Sequence, residues 1–137
     1  MIRFEQVTKR FGSRRVLDDI SFEIRQGEVF VIVGPSGTGK SVTLKHMVRL
    51  LTPTSGRVWV GDTVASEVSG GRLERLRERF GYLFQGGALL AWMDVFENVA
   101  LPLREKTDLD EDAIRTKVQQ TLAMVGLETD GQKRPSE

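Results

Sequence analysis

Eight residues, Gly34-Pro35-Ser36-Gly37-Thr38-Gly39-Lys40-Ser41, have the types and spacing to hold a polyphosphate. They fit G-x-x-x-x-G-K-[ST], the phosphate-binding P-loop. A nucleoside triphosphate tail carries several negative charges and many acceptor oxygens. Backbone N–H groups can surround it only where no side chain blocks the approach. Gly34, Gly37 and Gly39 give that access and tolerate positive φ. Lys40 is placed to bridge the β- and γ-phosphates as a point charge, and Ser41 to set its hydroxyl on Mg²⁺. Pro35, Ser36, Thr38 and Val42 complete the set of candidate ATP-binding residues. Each charge-assisted hydrogen bond contributes about 1.5–3 kcal/mol, which puts a full cradle on the order of micromolar affinity.

Such a loop works only between a strand and a helix. The run Val29-Phe30-Val31-Ile32-Val33 is β-branched and apolar, which predicts a buried strand. After the loop, Leu44, Met47, Val48 and Leu51 recur at helical spacing. The helix should start near Lys40, aim its free N–H groups and positive dipole end at the phosphates, and stop by Leu51 before Pro53. Upstream, Ile2–Val7 alternates as a half-buried strand, Lys9–Arg15 is a basic turn, and Val16-Leu17 with Ile20–Ile24 reads as further strand. Downstream, Arg57–Val60 is a short strand, Ser66–Gly71 a loop and Arg72–Arg79 a solvated helix. Phe80–Phe84 is a strand that delivers Gln85. Val95–Leu103 and Ala113–Val125 read as helices, the second with Asp108 as N-cap and Glu111 completing a capping box. Residues 127–137 are polar and read as unstructured. His46 reads as an exposed or capping side chain rather than a ligand, and Trp59 and Trp92 read as packing residues.

With 137 residues, 39% of them hydrophobic and 28% charged, the chain has the balance of one small globular domain. A net charge of +1, from 20 basic and 19 acidic residues, gives no electrostatic case for a nucleic-acid partner. No cysteine is present, which excludes disulfides and Cys-based metal sites. The longest apolar runs, Val29–Val33 and Ala88–Met93, are far too short to span a bilayer. No signal-peptide pattern precedes the first strand. A role at a membrane would therefore come through a partner.

Four features, taken together, resemble the N-terminal half of an ABC-transporter ATP-binding subunit, over essentially all of the chain. Ile2–Val7 followed by Thr8-Lys9-Arg10-Phe11-Gly12 resembles the opening strand and A-loop, and the resemblance makes Phe11 the aromatic that stacks on adenine. Val16–Ile24 with Gln26-Gly27-Glu28 resembles the hairpin feeding the P-loop, and Gly34–Ser41 is the P-loop. Phe84-Gln85 resembles the Q-loop, which implies that Gln85 reaches Mg²⁺ and the attacking water. The implied fold is α/β, a P-loop NTPase of the ABC ATPase type. It comprises an N-terminal antiparallel β subdomain and the start of a parallel-sheet RecA-like core. The resemblance further implies ATP and Mg²⁺ as cofactors, a homodimer of ATPase subunits, and a membrane permease as partner. The location would be cytoplasmic, peripheral to the inner membrane through that permease. A finer likeness, Gly87-Ala88-Leu89 and then Val95-Phe96-Glu97-Asn98-Val99-Ala100-Leu101-Pro102-Leu103-Arg104-Glu105, is to the Mla/Mce-type lipid transporters, in a region that would cradle a permease's coupling helix. Amino-acid importers share part of that pattern.

Three parts of the family pattern have no counterpart: the Leu-Ser-Gly-Gly-Gln signature, the Walker B strand with its Asp-Glu, and the switch histidine. Residues 1–137 are thus expected to be a partial ATP-binding domain, cut just before the signature. Asp110-Glu111 follows no apolar strand and reads as a helix start. Ser69-Gly70-Gly71 has the signature's core letters but precedes Gln85, out of order. Isolated, the chain is expected to bind nucleotide weakly, hydrolyse it negligibly and be marginally stable. Two other readings remain open: a different P-loop enzyme such as a small-molecule kinase, and a regulatory module that binds nucleotide and a permease without turnover.

Overall fold

A computed structural model describes residues 1–137. The chain divides into two compact units, Met1–Tyr82 and Leu83–Glu137. In the first, β1 (Ile2–Phe11), β2 (Arg14–Ile24), β3 (Ser55–Val60) and β4 (Thr63–Val64) form one sheet in the order β2-β1-β3-β4. Every pairing in it is antiparallel. Alternation sets the buried face at Phe4, the register irregularity between Phe4 and Val7 returns Val7 to it, and Leu17, Val58 and Val60 gather there with them. Helix α1 (Lys40–Met47) closes that core with Met47, and α2 (Gly71–Arg77) does so with Leu76. Both expected short strands before the loop fuse into the single β2, because irregular register between Phe4 and Lys9 of β1 absorbs the break in alternation.

Two expected strands are absent. Val29–Val33 runs without ladder bonds, and Val29, Val31 and Val33 are 89%, 70% and 83% exposed. The alternation survives: Phe30 stacks on Phe22 at 5.0 Å between centroids, and Ile32 packs on the core. A strand is defined by its neighbour, and no other segment among these residues pairs with this run. Phe80–Phe84 is likewise not a strand, and Leu83 is 84% exposed.

Other differences are local. Helix α1 ends at Met47 rather than near Leu51, where the backbone widens and Leu50 N–H and Leu51 N–H both reach Lys45 O. His46 is 1% exposed, not a surface or capping residue. Its Nδ1 lies 2.7 Å from Val42 O, so that nitrogen carries the proton of the neutral ring, while Nε2 is buried without a hydrogen bond. Trp59 packs as expected, donating from Nε1 to Glu5 at 2.8 Å beneath the guanidinium of Arg3. Trp92 does not pack, being 69% exposed.

The second unit pairs α3 (Val95–Lys106) with α4 (Glu111–Met124) around Ala100, Ile114, Val118 and Leu122. Asp94 caps α3 by accepting from Glu97 N–H at 2.7 Å. Asp110, not Asp108, caps α4, accepting from Ala113 N–H at 2.8 Å. Glu111 forms no capping box. Its carboxylate takes both Arg104 Nε and Nη2, at 2.8 and 2.9 Å, a bidentate pair that outcompetes a single backbone N–H. That pair holds the Glu111 carboxyl below its usual range and, with Glu97, raises the Arg104 guanidinium. The segment after Gly126 is ordered, not unstructured: Phe96 N–H donates to Gly131 O at 2.8 Å and Val95 N–H to Lys133 O at 2.9 Å. These bonds satisfy first-turn donors of α3 that the helix itself cannot.

Candidate functional site

The P-loop lies in the first unit, between the extended run ending at Val33 and the first residue of α1. Gly39 is the residue on which the loop turns. It has φ +97°, and a β-carbon there would meet Leu17 Cδ2 at 2.8 Å and Val16 O at 3.1 Å. Only glycine combines that backbone angle with that closeness to β2. The loop is thereby pressed onto the sheet at Gly39 while Gly34 to Thr38 remain exposed. Thr38 Oγ1 donates to Pro35 O at 2.9 Å and locks the loop's curvature.

The start of α1 is left open in the way an anion requires. Gly39 occupies the N-cap without any side-chain cap, and the first turn holds no acidic residue. The first helical hydrogen bond is Thr43 N–H to Gly39 O at 2.8 Å, so the N–H groups of Lys40, Ser41 and Val42 precede the helical ladder. Thr43 Oγ1 doubles that bond at 3.1 Å and fixes the helix start.

Lys40 sends Nζ back over the loop, to Gly34 O at 2.7 Å and Pro35 O at 2.6 Å. Its ammonium therefore has only neutral carbonyl partners, and no carboxylate neutralises it. The Ser41 side chain is exposed. Val42 packs its side chain on the core, so its contribution to a ligand is its backbone N–H. A cavity of about 700 Å³ is lined by Gly34, Pro35, Thr38, Gly39 and Lys40 together with Leu17 and Phe22.

Phe11 ends β1, is 47% exposed, and has Lys9 Nζ 5.1 Å from its ring centroid. An exposed ring at a hairpin end is available to stack. Gln85 belongs to the second unit, exposed in a turn closed by Gly87 N–H on Phe84 O at 2.9 Å. One residue beside the loop stands out in the structure alone. Arg14 Nη2 lies 3.9 Å from the position a β-carbon would take at Gly37. The only sequence signal for it is its place three residues after Phe11, across a Gly-Ser turn. Asp110 and Glu111 are engaged in starting α4, as their flanking residues predict. No group of three or more His, Cys, Asp or Glu side chains forms a metal site.

Comparison with known proteins agrees with this geometry. The family profile described as ABC transporter matches residues 17–137. The probable ribonucleotide transport ATP-binding protein mkl of Mycobacterium leprae is 45% identical over 136 residues, covering 99% of this chain and 39% of mkl. MlaF, an intermembrane phospholipid transport system ATP-binding protein of Haemophilus influenzae, is 36% identical over 137 residues, 100% of this chain and 52% of MlaF. The chain thus spans well under two thirds of such relatives. The bacterial ABC transporter cassette MJ0796, solved as a dimer, superimposes with a TM-score of 0.86 at 30% identity, covering 99% of this chain and 62% of that one. The same cassette solved in a post-hydrolysis state with ADP and Pi gives 0.85. Loop, helix start and α/β fold together with these likenesses place the chain in the ABC transporter ATP-binding family, to which it belongs.

Proposed function

We propose that residues 1–137 are part of one ABC ATP-binding domain, which binds ATP at Gly34–Ser41 and serves a transporter. The observation that carries the reading is the open start of α1 beneath an un-neutralised ammonium. The N–H groups of Lys40, Ser41 and Val42 precede the helical ladder, the Lys40 ammonium sits on Gly34 O and Pro35 O, and the first turn holds no acidic residue. Donors arranged this way suit a polyphosphate and repel nothing in it. Gly34, Pro35, Ser36, Gly37, Thr38 and Gly39 give the backbone of the cradle, and Phe11 stacks on the base.

A magnesium ion fits the same place. With no carboxylate cluster available, the exposed Ser41 hydroxyl and the phosphate oxygens would hold it; the role of Gln85 as a further oxygen ligand rests on the resemblance of Phe84-Gln85 to the Q-loop. The ion supplies neutralisation of phosphate charge. The catalytic assignment is Lys40 and Gln85, both as positioning and charge-stabilising groups rather than proton acceptors. In the complete subunit, ATP turnover would drive transport through a membrane permease. Two such subunits would pair, on the cytoplasmic face of the inner membrane. No helix of this chain is long and apolar enough to cross a membrane.

For the cargo, a lipid is proposed. The support is the Gly87–Leu89 and Val95–Glu105 stretch and the likeness to MlaF, whose name specifies phospholipid. The likeness to mkl, whose name specifies ribonucleotide transport, keeps a second cargo in view. An amino-acid importer is the remaining alternative.

The test is titration of Mg-ATP into the folded chain while the backbone amides are followed by NMR. Shifts centred on residues 34–42, lost in Lys40→Ala, are expected. Amides of that stretch unmoved at millimolar ligand would refute the assignment.

A further inference from the structure

Resting on that reading of the P-loop, we propose that Arg14 is a second cationic contact for the nucleotide, clasping its phosphates from the β-hairpin side. Three observations converge on it. First, Arg14 Nη2 lies 3.9 Å from where a β-carbon would sit at Gly37, in the exposed part of the loop. Second, Arg14 is the register partner of Phe11 across the β1–β2 turn. Directly opposed residues share one face of an antiparallel pair, with their β-carbons about 5 Å apart. The residue proposed to carry the base and the residue beside the loop are thus fixed to one another by backbone pairing. Third, Arg14 is uncommitted. Its neighbour Arg15 is held by both oxygens of Asp18, at 2.6 and 2.8 Å. The Arg14 side chain makes no hydrogen bond or ion pair.

The two cations therefore divide the ligand. Lys40 folds back on Gly34 and Pro35 at one side of the loop. Arg14 pairs with Phe11 in register and reaches the loop at Gly37. A nucleotide whose base lies on Phe11 brings its base-proximal phosphates past Arg14 before its terminal phosphate reaches Lys40. The guanidinium is suited to this because its planar fork matches two phosphate oxygens at once. It is anchored at the end of a strand, so little backbone freedom is lost on binding.

The experiment is a ligand series on the 137-residue chain: ATP, ADP, AMP and adenosine against wild type, Arg14→Ala, Arg14→Lys, Arg15→Ala and Lys40→Ala. Trp59 emission confirms a folded sheet in each. Arg14→Ala is expected to weaken ATP and ADP about tenfold, the loss of one charge-assisted contact, while adenosine changes less than twofold. Arg14→Lys should recover part of the loss, and Arg15→Ala should match wild type. A loss on ATP below twofold overturns the proposal. So does an equal loss on adenosine, which would mean the hairpin was disturbed rather than a phosphate contact removed. Should Arg14→Ala not fold, Arg14→Lys binding ATP as tightly as wild type overturns it instead. The two readings fail separately: Lys40→Ala losing ATP while Arg14→Ala keeps it removes only Arg14. Wild type failing to bind, or Lys40→Ala binding unchanged, removes the P-loop reading and Arg14 with it.

Discussion

Gly39→Ala isolates the close approach that seats the P-loop on the sheet. Two penalties add. A non-glycine residue at φ +97° is strained, at about 1–2 kcal/mol. The new methyl also meets Leu17 Cδ2 at 2.8 Å, Val16 O at 3.1 Å and Val16 Cγ1 at 3.3 Å. Leu17 Cδ2 is the end of a flexible side chain that borders the cavity beside the loop and can shift, whereas Val16 O is sheet backbone and holds its place. Overpacking of this kind costs about 1–3 kcal/mol, which brings the total to roughly 2–5 kcal/mol. Gly12→Ala is the matched control: φ +58° with nothing within 4 Å, so it bears the backbone strain alone, about 1–2 kcal/mol. Urea unfolding followed by Trp59 emission reads the difference, because Trp59 is anchored in β3 whereas Trp92 is already 69% exposed and changes little. With a slope of about 1–3 kcal/mol per molar urea, Gly39→Ala should lower the midpoint by roughly 0.7–5 M, or unfold the chain outright if its stability is less than the cost. Gly12→Ala should retain a transition. Equal midpoints for the two variants would refute the reasoning, since the contact with β2 would then carry no energy.

Three further outcomes follow from other parts of the molecule. Burial pushes the His46 imidazole below its ordinary 6.5, the Val42 and Thr52 carbonyls pull it back, and the Lys9 ammonium adds to the lowering. The unfolded chain therefore takes up a proton below about pH 6.5 that the native chain resists, so stability is full above that pH and falls as the pH drops toward 5. His46→Gln should flatten the urea midpoint between pH 7 and 5; an unchanged slope would show that other groups set it. Asn98 accepts from Leu90 N–H at 2.8 Å and donates to Leu90 O at 3.1 Å and Asp94 O at 2.9 Å, so Asn98→Ala should cost about 1–3 kcal/mol and abolish hydrogen-exchange protection of the Leu90 amide. Retained protection there would mean that the turn holds itself. Val31 is 70% exposed in an unpaired extended run, the kind of edge that aggregates. Val31→Lys should raise the concentration at which light scattering appears while leaving the urea midpoint in place; a lowered midpoint would show that Val31 is buried in solution.

The loop, its lysine and the helix behind it could be read from the sequence because their determinants are local. Gly39-Lys40-Ser41 opens a helix whatever lies beyond it, and the alternation in Ile2–Val7 selects its buried face without a partner being named. Val29–Val33 and Phe80–Phe84 show where such reading stops. Their composition is that of buried strands, and Phe30 and Ile32 still turn toward the core as alternation demands. Yet a strand needs a neighbour to bond, and whether one is present is a property of distant chain, not of the run itself. The burial of His46 has the same origin. One histidine in a short helix is ambiguous until the sheet beneath it is in place. The ordering of Gly131 and Lys133 on the first turn of α3 likewise depends on donors 35 or more residues away. So the residue types fixed which chemistry this chain can offer a phosphate. Tertiary packing decided how closely β2 presses on Gly39, where Arg14 stands, and which apolar runs find partners, because those depend on contacts between segments that no local pattern encodes.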